Sequence, residues 1–362
     1  MRILYLYSNN LNCSDGVMAK IAMQIRQWRD GGHQVQSFLI NTGSRKAEAQ
    51  DGQTVIDRNS LLRKFSRLYR KIASTNPDII YCRFEPFKPY FSKVLQRYKV
   101  IMEINTDDLK ECCLLKKSNL RHWLRYVYNK YTRHLLLDRV SGLVSATVDI
   151  VNRPEFVKFH KPIKFIPNSI ILDEYPILKK IPAGKLINLV FLFSRSYPWN
   201  GLDKLYPLAL KTLGLCQFHL IGKIDYEMKF PENVITHGYL QKKEYHKIIA
   251  GCQLGLGPLA LHRKEMDNSS PIKVREYLAY GLPIIIAYDD SAFGNSLPYP
   301  PWVLKLPNNE TNVLENIKVI LDFCMAHKNT VLTHEQVSPF IAASRWEKER
   351  INFFGQVLEH ES

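Results

Sequence analysis

Short apolar runs recur along the chain, each followed by a stretch whose apolar positions fall three and four apart. "RILYLYS" (2–8), "QVQSFLI" (34–40), "DIIYCR" (78–83), "KVIMEIN" (99–105), "GLVSAT" (142–147) and "KFIPN" (164–168) have the length and β-branched or aromatic content of strands. Between them, helical spacing appears near 17–30, 60–73, 87–98 and 119–138. Such alternation predicts a parallel sheet wrapped by helices. A loop-like stretch, "IPNSIILDEYPILKKIPAGK", carries Pro167, Pro176 and Pro182, and after it the pattern restarts. The second series has strands at "LINLVFLFS" (186–194), "QFHLIG" (217–222), "NVITHGY" (233–239) and "LGLGPL" (254–259), with helices from about 201 and near 242–251. The restart predicts a second doubly wound α/β domain.

The last clear helix of this series lies in "NSSPIKVREYLAYGLP" (268–283). Ser269 or Ser270 is the expected cap, and Pro271 suits the first turn, where a missing N–H costs nothing. Ile272, Val274, Leu278 and Ala279 are expected to pack inward, Gly281 to end the helix, and "PIIIAY" (283–288) to form a buried strand. Free N–H groups at the helix start, with Lys273 and Arg275 nearby, suit a phosphate. An ordinary capped helix with solvated charges fits the same residues.

The chain has 362 residues, 46% hydrophobic and 23% charged, which excludes disordered and fibrous classes and leaves room for two full cores. No run approaches a membrane span, and the apolar start of "MRILYLYSNN" is too short for a signal-peptide core, so a cytoplasmic protein is expected. Seven scattered cysteines, with no C-x-x-C pair, read as reduced thiols; the adjacent Cys112 and Cys113 are the one oddity. The net charge of +16 is lopsided: residues 1–180 hold 31 Lys and Arg against 16 Asp and Glu, and the remainder 19 against 18. A first half that basic points to an acidic partner, anionic lipid or nucleic acid. No helix-turn-helix, zinc-finger or RNA-binding aromatic motif is found, which argues against nucleic acid.

In doubly wound domains ligands bind beyond the carboxyl ends of the strands. The candidate segments are therefore "SNNLNCSDG", "NTDD", "SRSYPWNG", the "GK" after "FHLI", and the helix start at 268–273. Taken in order, "SDGVMAKI", "PNSIILDEY", "SRSYPWNGLDKL", "FHLIGK", "HGYLQKKEYHKIIAGCQLGLGPL", "SSPIKVREYLAYGLPIIIAY" and "SRWEKERINFF" resemble the family 4 (group 1) retaining glycosyltransferases, over nearly the whole chain. The resemblance is nearest to bacterial enzymes that build lipid-linked or surface polysaccharides such as lipopolysaccharide or capsule. It implies the GT-B fold, with two facing doubly wound parallel-sheet domains and an interdomain cleft. Residues 1–168 would bind the acceptor, 169–185 would be a linker, 186–340 would bind the nucleotide sugar, and a helix in 341–362 would cross back to the first domain.

Carried over residue by residue, the resemblance makes Glu276 the carboxylate that holds the ribose hydroxyls of a UDP-linked sugar, as a carboxylate can accept from a vicinal diol. Arg195 falls on the phosphate-binding arginine, Gly16 on the loop where backbone approaches the donor, and Tyr239 on the segment that meets the base. Ser270 and Ile272 belong to the same donor-binding helix start. Two positions depart from the pattern: Asn268 stands for the first glutamate of the E-x7-E pair, and Asn200 for the lysine before Gly201. Asn268 can still bond a sugar hydroxyl. Lys273 is the candidate replacement for the missing cation, alongside a solvated reading of the same side chain.

His262 is a possible donor-sugar contact or a surface-loop residue, and Asn105, Thr106 and Asp107 either meet the acceptor or cap a helix. The pairs Asp107-Asp108 and Asp289-Asp290 lack D-x-D spacing, and the resemblance implies neither metal nor cofactor. The expected activity is hexosyl transfer to a glycan or lipid-linked acceptor. A catalytically degenerate partner-binding protein and a sugar-nucleotide epimerase remain alternatives. Basic stretches with interleaved aromatics at 59–74 and 116–139 suggest that the first domain docks on an anionic membrane, on the inner face of the cell membrane.

Overall fold

The computed structural model describes residues 1–9, 16–43, 53–63, 66–105, 107–115, 120–177, 184–294 and 298–359. The chain divides into two compact units, Met1–Pro167 with Ala343–Ser362, and Asn168–Ala342.

The first unit is built on seven parallel strands: β1 (Arg2–Asn9), β2 (Gln34–Asn41), β3 (Gln53–Asp57), β4 (Ile79–Arg83), β5 (Val100–Ile104), β6 (Gly142–Ser145) and β7 (Ile163–Phe165). Their order is β3-β2-β1-β4-β5-β6-β7. The inner strands β4, β5 and β6 are apolar almost throughout because helices cover both faces of a parallel sheet. The edge strand β3, "QTVID", carries no such run, and the sequence pattern passes over it. The single helix expected over 60–73 is two, Arg58–Arg63 and Ser66–Thr75, with Lys64 and Phe65 outside the described residues.

The terminal helix Ala343–Glu359 packs on this sheet, placing Phe353, Phe354 and Val357 in one core with Tyr5, Trp28 and Tyr81. Its polar side chains are satisfied as they are buried: the Trp28 indole donates to Glu347 at 2.9 Å, and Arg350 donates to Glu347 at 2.8 Å and to Glu103 at 3.3 Å. Trp346 is half-buried against the same core.

The second unit has six parallel strands, β8 (Ile187–Arg195), β9 (Cys216–Lys223), β10 (Val234–Thr236), β11 (Leu254–Leu256), β13 (Ile284–Ile286) and β15 (Val303–Lys305). A separate two-stranded ribbon pairs β12 (Asn268–Ser269) with β14 (Asp289–Asp290). The main order is β10-β9-β8-β11-β13-β15, so the winding reverses between β8 and β11. Doubly wound sheets take ligands beyond the carboxyl ends of the strands at such a reversal, which here lies between β8 and β11. Residues 168–177 belong to this unit: Ile170 bridges to Ala342, and Tyr175 is buried.

Candidate nucleotide-sugar site

The helix Ile272–Ala279 is seated on the centre of the second sheet by Tyr277. A Cβ on Gly255 of β11 would lie 2.4 Å from the Tyr277 ring, and the Leu192 amide of β8 donates to the Tyr277 hydroxyl at 2.6 Å. The helix start differs from the expected one. Its N-cap is Pro271, which makes no side-chain cap. The Ser270 hydroxyl instead accepts from the Asn168 amide and from Arg275, both at 2.8 Å. Arg275, expected to add charge for a phosphate, is fully buried. It is held by both Asp290 oxygens at 2.7 and 2.5 Å and by the Asn168 carbonyl at 3.0 Å. Residues 274–279 are all buried, so Arg275 has no solvated face to occupy. Arg275 and Asp290 thus fix the entry loop to the ribbon.

Lys273 is different. It is half-buried and makes no hydrogen bond or ion pair among the described residues. Burial pushes its ammonium down to about 8, against the opposing pull of Glu276. Glu276, three residues on, is 8% exposed and is cradled by tyrosines. Tyr175 donates to its Oε1 at 3.2 Å, and the Tyr245 hydroxyl lies 3.3 and 3.2 Å from its two oxygens. Burial raises the carboxyl above its ordinary range, opposed by Lys242, the two tyrosine hydrogen bonds and Lys273. Lys242 sits 3.6 Å from the centre of the Tyr175 ring. The Tyr280 hydroxyl is buried without a hydrogen-bond partner among the described residues. This constellation is a desolvated carboxylate with long hydrogen bonds and spare acceptor capacity, beside an unpaired cation: the chemistry that vicinal hydroxyls and a phosphate would complete.

The other expected donor contacts lie elsewhere in the unit. Arg195 ends β8, exposed, in a bidentate pair with Asp225 at 2.9 and 2.8 Å, and that hydrogen bonding raises the guanidinium further. Asn200 is buried and donates to the Arg195 carbonyl at 2.7 Å, fixing the loop rather than presenting a polar group. Gly201 has φ of +71°, and a Cβ there would meet Leu259 and Ala260 at 3.0 and 3.1 Å. Lys204 is spent on the Leu259 and Asn309 carbonyls and on Asn312. His262 pairs with Glu310 at 2.6 Å, leaving its Nδ1 buried and, among the described residues, unpartnered. Tyr239 is 59% exposed after β10, and Asn268 lies in the ribbon opposite Asp289.

In the first unit, Gly16 opens the helix Gly16–Asp30, with open space where a Cβ would be. Asn105 accepts from the buried Lys20 at 2.9 Å, and Lys20 also pairs with Glu103 at 2.7 Å. Asp107 is buried, accepts from the Lys110 amide at 3.0 Å and pairs with Arg153, which is the capping arrangement. Thr106 lies outside the described residues. The helix Ile272–Ala279 and its lead thus gather Ser270, Ile272, Lys273 and Glu276 in one place. Tyr175, Tyr245 and Lys242 complete the cluster and were not singled out from sequence. Their signal was present, since Tyr175 closes "PNSIILDEY" and the other two lie in "QKKEYHK".

No family model and no curated protein matches the chain. Solved structures do. Sucrose-phosphate synthase from Thermosynechococcus elongatus is similar with a TM-score of 0.69 at 12% identity, over 99% of this chain and 99% of that one. HepE from Anabaena, solved with UDP and glucose, gives 0.64 at 14% identity over 98% and 100%. The lipopolysaccharide outer core galactosyltransferase WaaB gives 0.62 at 12% identity over 98% and 100%. The fold is GT-B, as the sequence resemblance implied.

Proposed function

We propose that the chain is a glycosyltransferase that takes a hexosyl group from a UDP-linked sugar bound by the second unit. The acceptor is a glycan or lipid-linked saccharide of cell-surface polysaccharide synthesis, taken by the first unit, and transfer occurs with retention. The observation that carries this reading is the buried Glu276 carboxylate in its tyrosine cradle, one turn from unpaired Lys273. The match to HepE, solved with UDP and glucose, and to WaaB, a galactosyltransferase, supports it.

Glu276 accepts the two ribose hydroxyls, and Lys273 with the helix N-terminus takes the diphosphate. Arg195 joins them by exchanging Asp225 for a phosphate oxygen, a small cost because that pair is solvent-exposed. As the bond from the anomeric carbon to the diphosphate breaks, these groups stabilise the charge left on the leaving oxygen. The acceptor hydroxyl bonds to the anomeric carbon on the same face and passes its proton to that diphosphate oxygen, so the scheme needs no protein base and no metal. UDP release from a panel of UDP-sugars, with and without saccharide acceptors, tests the reading. Turnover with one donor supports it; no turnover with any donor, together with no thermal shift by UDP, overturns it.

A further inference from the structure

The helix Leu120–Thr132 of the first unit is built inside out. At about 100° per residue, His122, Tyr126, Asn129 and Arg133 share one side, and this is the side turned to the protein. Asn129 is 1% exposed and donates to Asp108. Arg133, just past the helix, pairs with Asp108 at 3.0 Å and lies over the Phe156 ring at 4.7 Å. The opposite side carries Leu120, Leu124 and Tyr131, 71%, 54% and 67% exposed, flanked by the exposed Trp123 and by Tyr128, whose hydroxyl donates to the Phe87 carbonyl at 2.8 Å. A helix that only covered a sheet would bury that stripe and expose the polar one. Arg121, Arg125 and Lys130 border the stripe and are exposed. A second basic surface on this unit, Arg67 and Arg70 with Lys71, lines a shallow open depression on the helix Ser66–Thr75. The side chains of Arg63 and Lys64, read with it from sequence, lie outside the described residues.

We propose that the outward stripe of Leu120–Thr132 inserts into the headgroup region of an anionic bilayer, with Trp123 and Tyr131 at interfacial depth and Arg121, Arg125 and Lys130 against lipid phosphates. Charge complementarity selects this occupant: a basic rim around an aromatic stripe, on a half-chain whose Lys and Arg outnumber its Asp and Glu 31 to 16, fits an anionic leaflet. The proposal deepens the assignment of a lipid-linked acceptor and rests on it only for its purpose, because docking requires neither donor nor turnover.

Co-sedimentation of the full chain with vesicles of phosphatidylcholine and phosphatidylglycerol in equal parts, against pure phosphatidylcholine, tests it. Binding is expected only to the anionic vesicles and is expected to fall as salt rises. Each basic residue at an anionic surface is worth about fivefold in affinity, so neutralising three with Arg121→Gln, Arg125→Gln and Lys130→Gln weakens binding about a hundredfold. Trp123→Ser with Leu124→Ser weakens it at least tenfold while leaving the melting temperature and UDP binding unchanged. Equal binding to neutral vesicles, no vesicle binding, or a fall in melting temperature showing the stripe to be core overturns the proposal. So does a dimer without lipid, or a complex with duplex DNA, that the same variants abolish. No turnover with any UDP-sugar and no thermal shift by UDP, with vesicle binding intact, would overturn the transferase reading alone.

Discussion

Replacing Glu276 by glutamine separates a ligand-binding carboxylate from a structural one. Ribose hydroxyls donating to a carboxylate form charge-assisted bonds worth about 1.5–3 kcal/mol each. The amide keeps one acceptor and turns an NH2 toward the second hydroxyl, so about one such bond is lost and UDP binds about 10- to 150-fold more weakly. Stability moves the other way. The folded-state carboxyl is raised by burial, so its charged form is penalised above that raised value and relieved as pH falls through it. Glutamine carries no such penalty, and Tyr175 and Tyr245 can still donate to its oxygen at the positions they now hold. Glu276→Gln is therefore expected to melt at or above the wild-type temperature near neutral pH, with any advantage shrinking in acid. Calorimetric titration with UDP and a thermal melt measure the two arms. A variant that melts several degrees lower and binds UDP normally would show instead that the carboxylate serves the fold.

Lys273→Met should weaken UDP binding at least tenfold. In the wild type, affinity should decline as pH rises through about 8, where the ammonium is lost, and the variant should be flat over that range by calorimetry. Arg275→Met leaves Asp290 buried and uncompensated, and urea unfolding should show a loss of about 3–5 kcal/mol. Gly255→Ala puts a methyl into the Tyr277 ring, which should cost about 1–3 kcal/mol of stability and, by shifting the helix that carries Glu276, raise the Kd for UDP. Unchanged stability in either of the last two variants would contradict the seating described for this helix.

The alternating architecture was legible because buried parallel strands and their covering helices have different periods, and β1, β4, β5, β8 and β9 lie within a residue or two of where that pattern puts them. The pattern was blind to β3 and to β15, short strands at or near sheet edges. It also misjudged Arg275, since a helix buried along almost its whole length leaves no polar face to mark which charges are paired. For helix Leu120–Thr132 the apolar stripe was visible in the sequence, but amphipathicity alone does not say which face is covered; the buried Asn129 decides it. Glu276 was singled out through its motif, and its role remains the proposal made above. Its partners Tyr175 and Tyr245 come from segments 101 and 31 residues away, a convergence that only folding produces.

The proposed function requires the second unit to bind a nucleoside diphosphate through both its ribose and its phosphates. Calorimetric titration of the full chain with UDP and, in parallel, with uridine tests it most directly. One UDP per chain is predicted, with uridine bound at least tenfold more weakly because Arg195, Lys273 and the helix N-terminus find no phosphate to hold. No heat with UDP and no thermal shift, or equal affinity for UDP and uridine, would contradict the account.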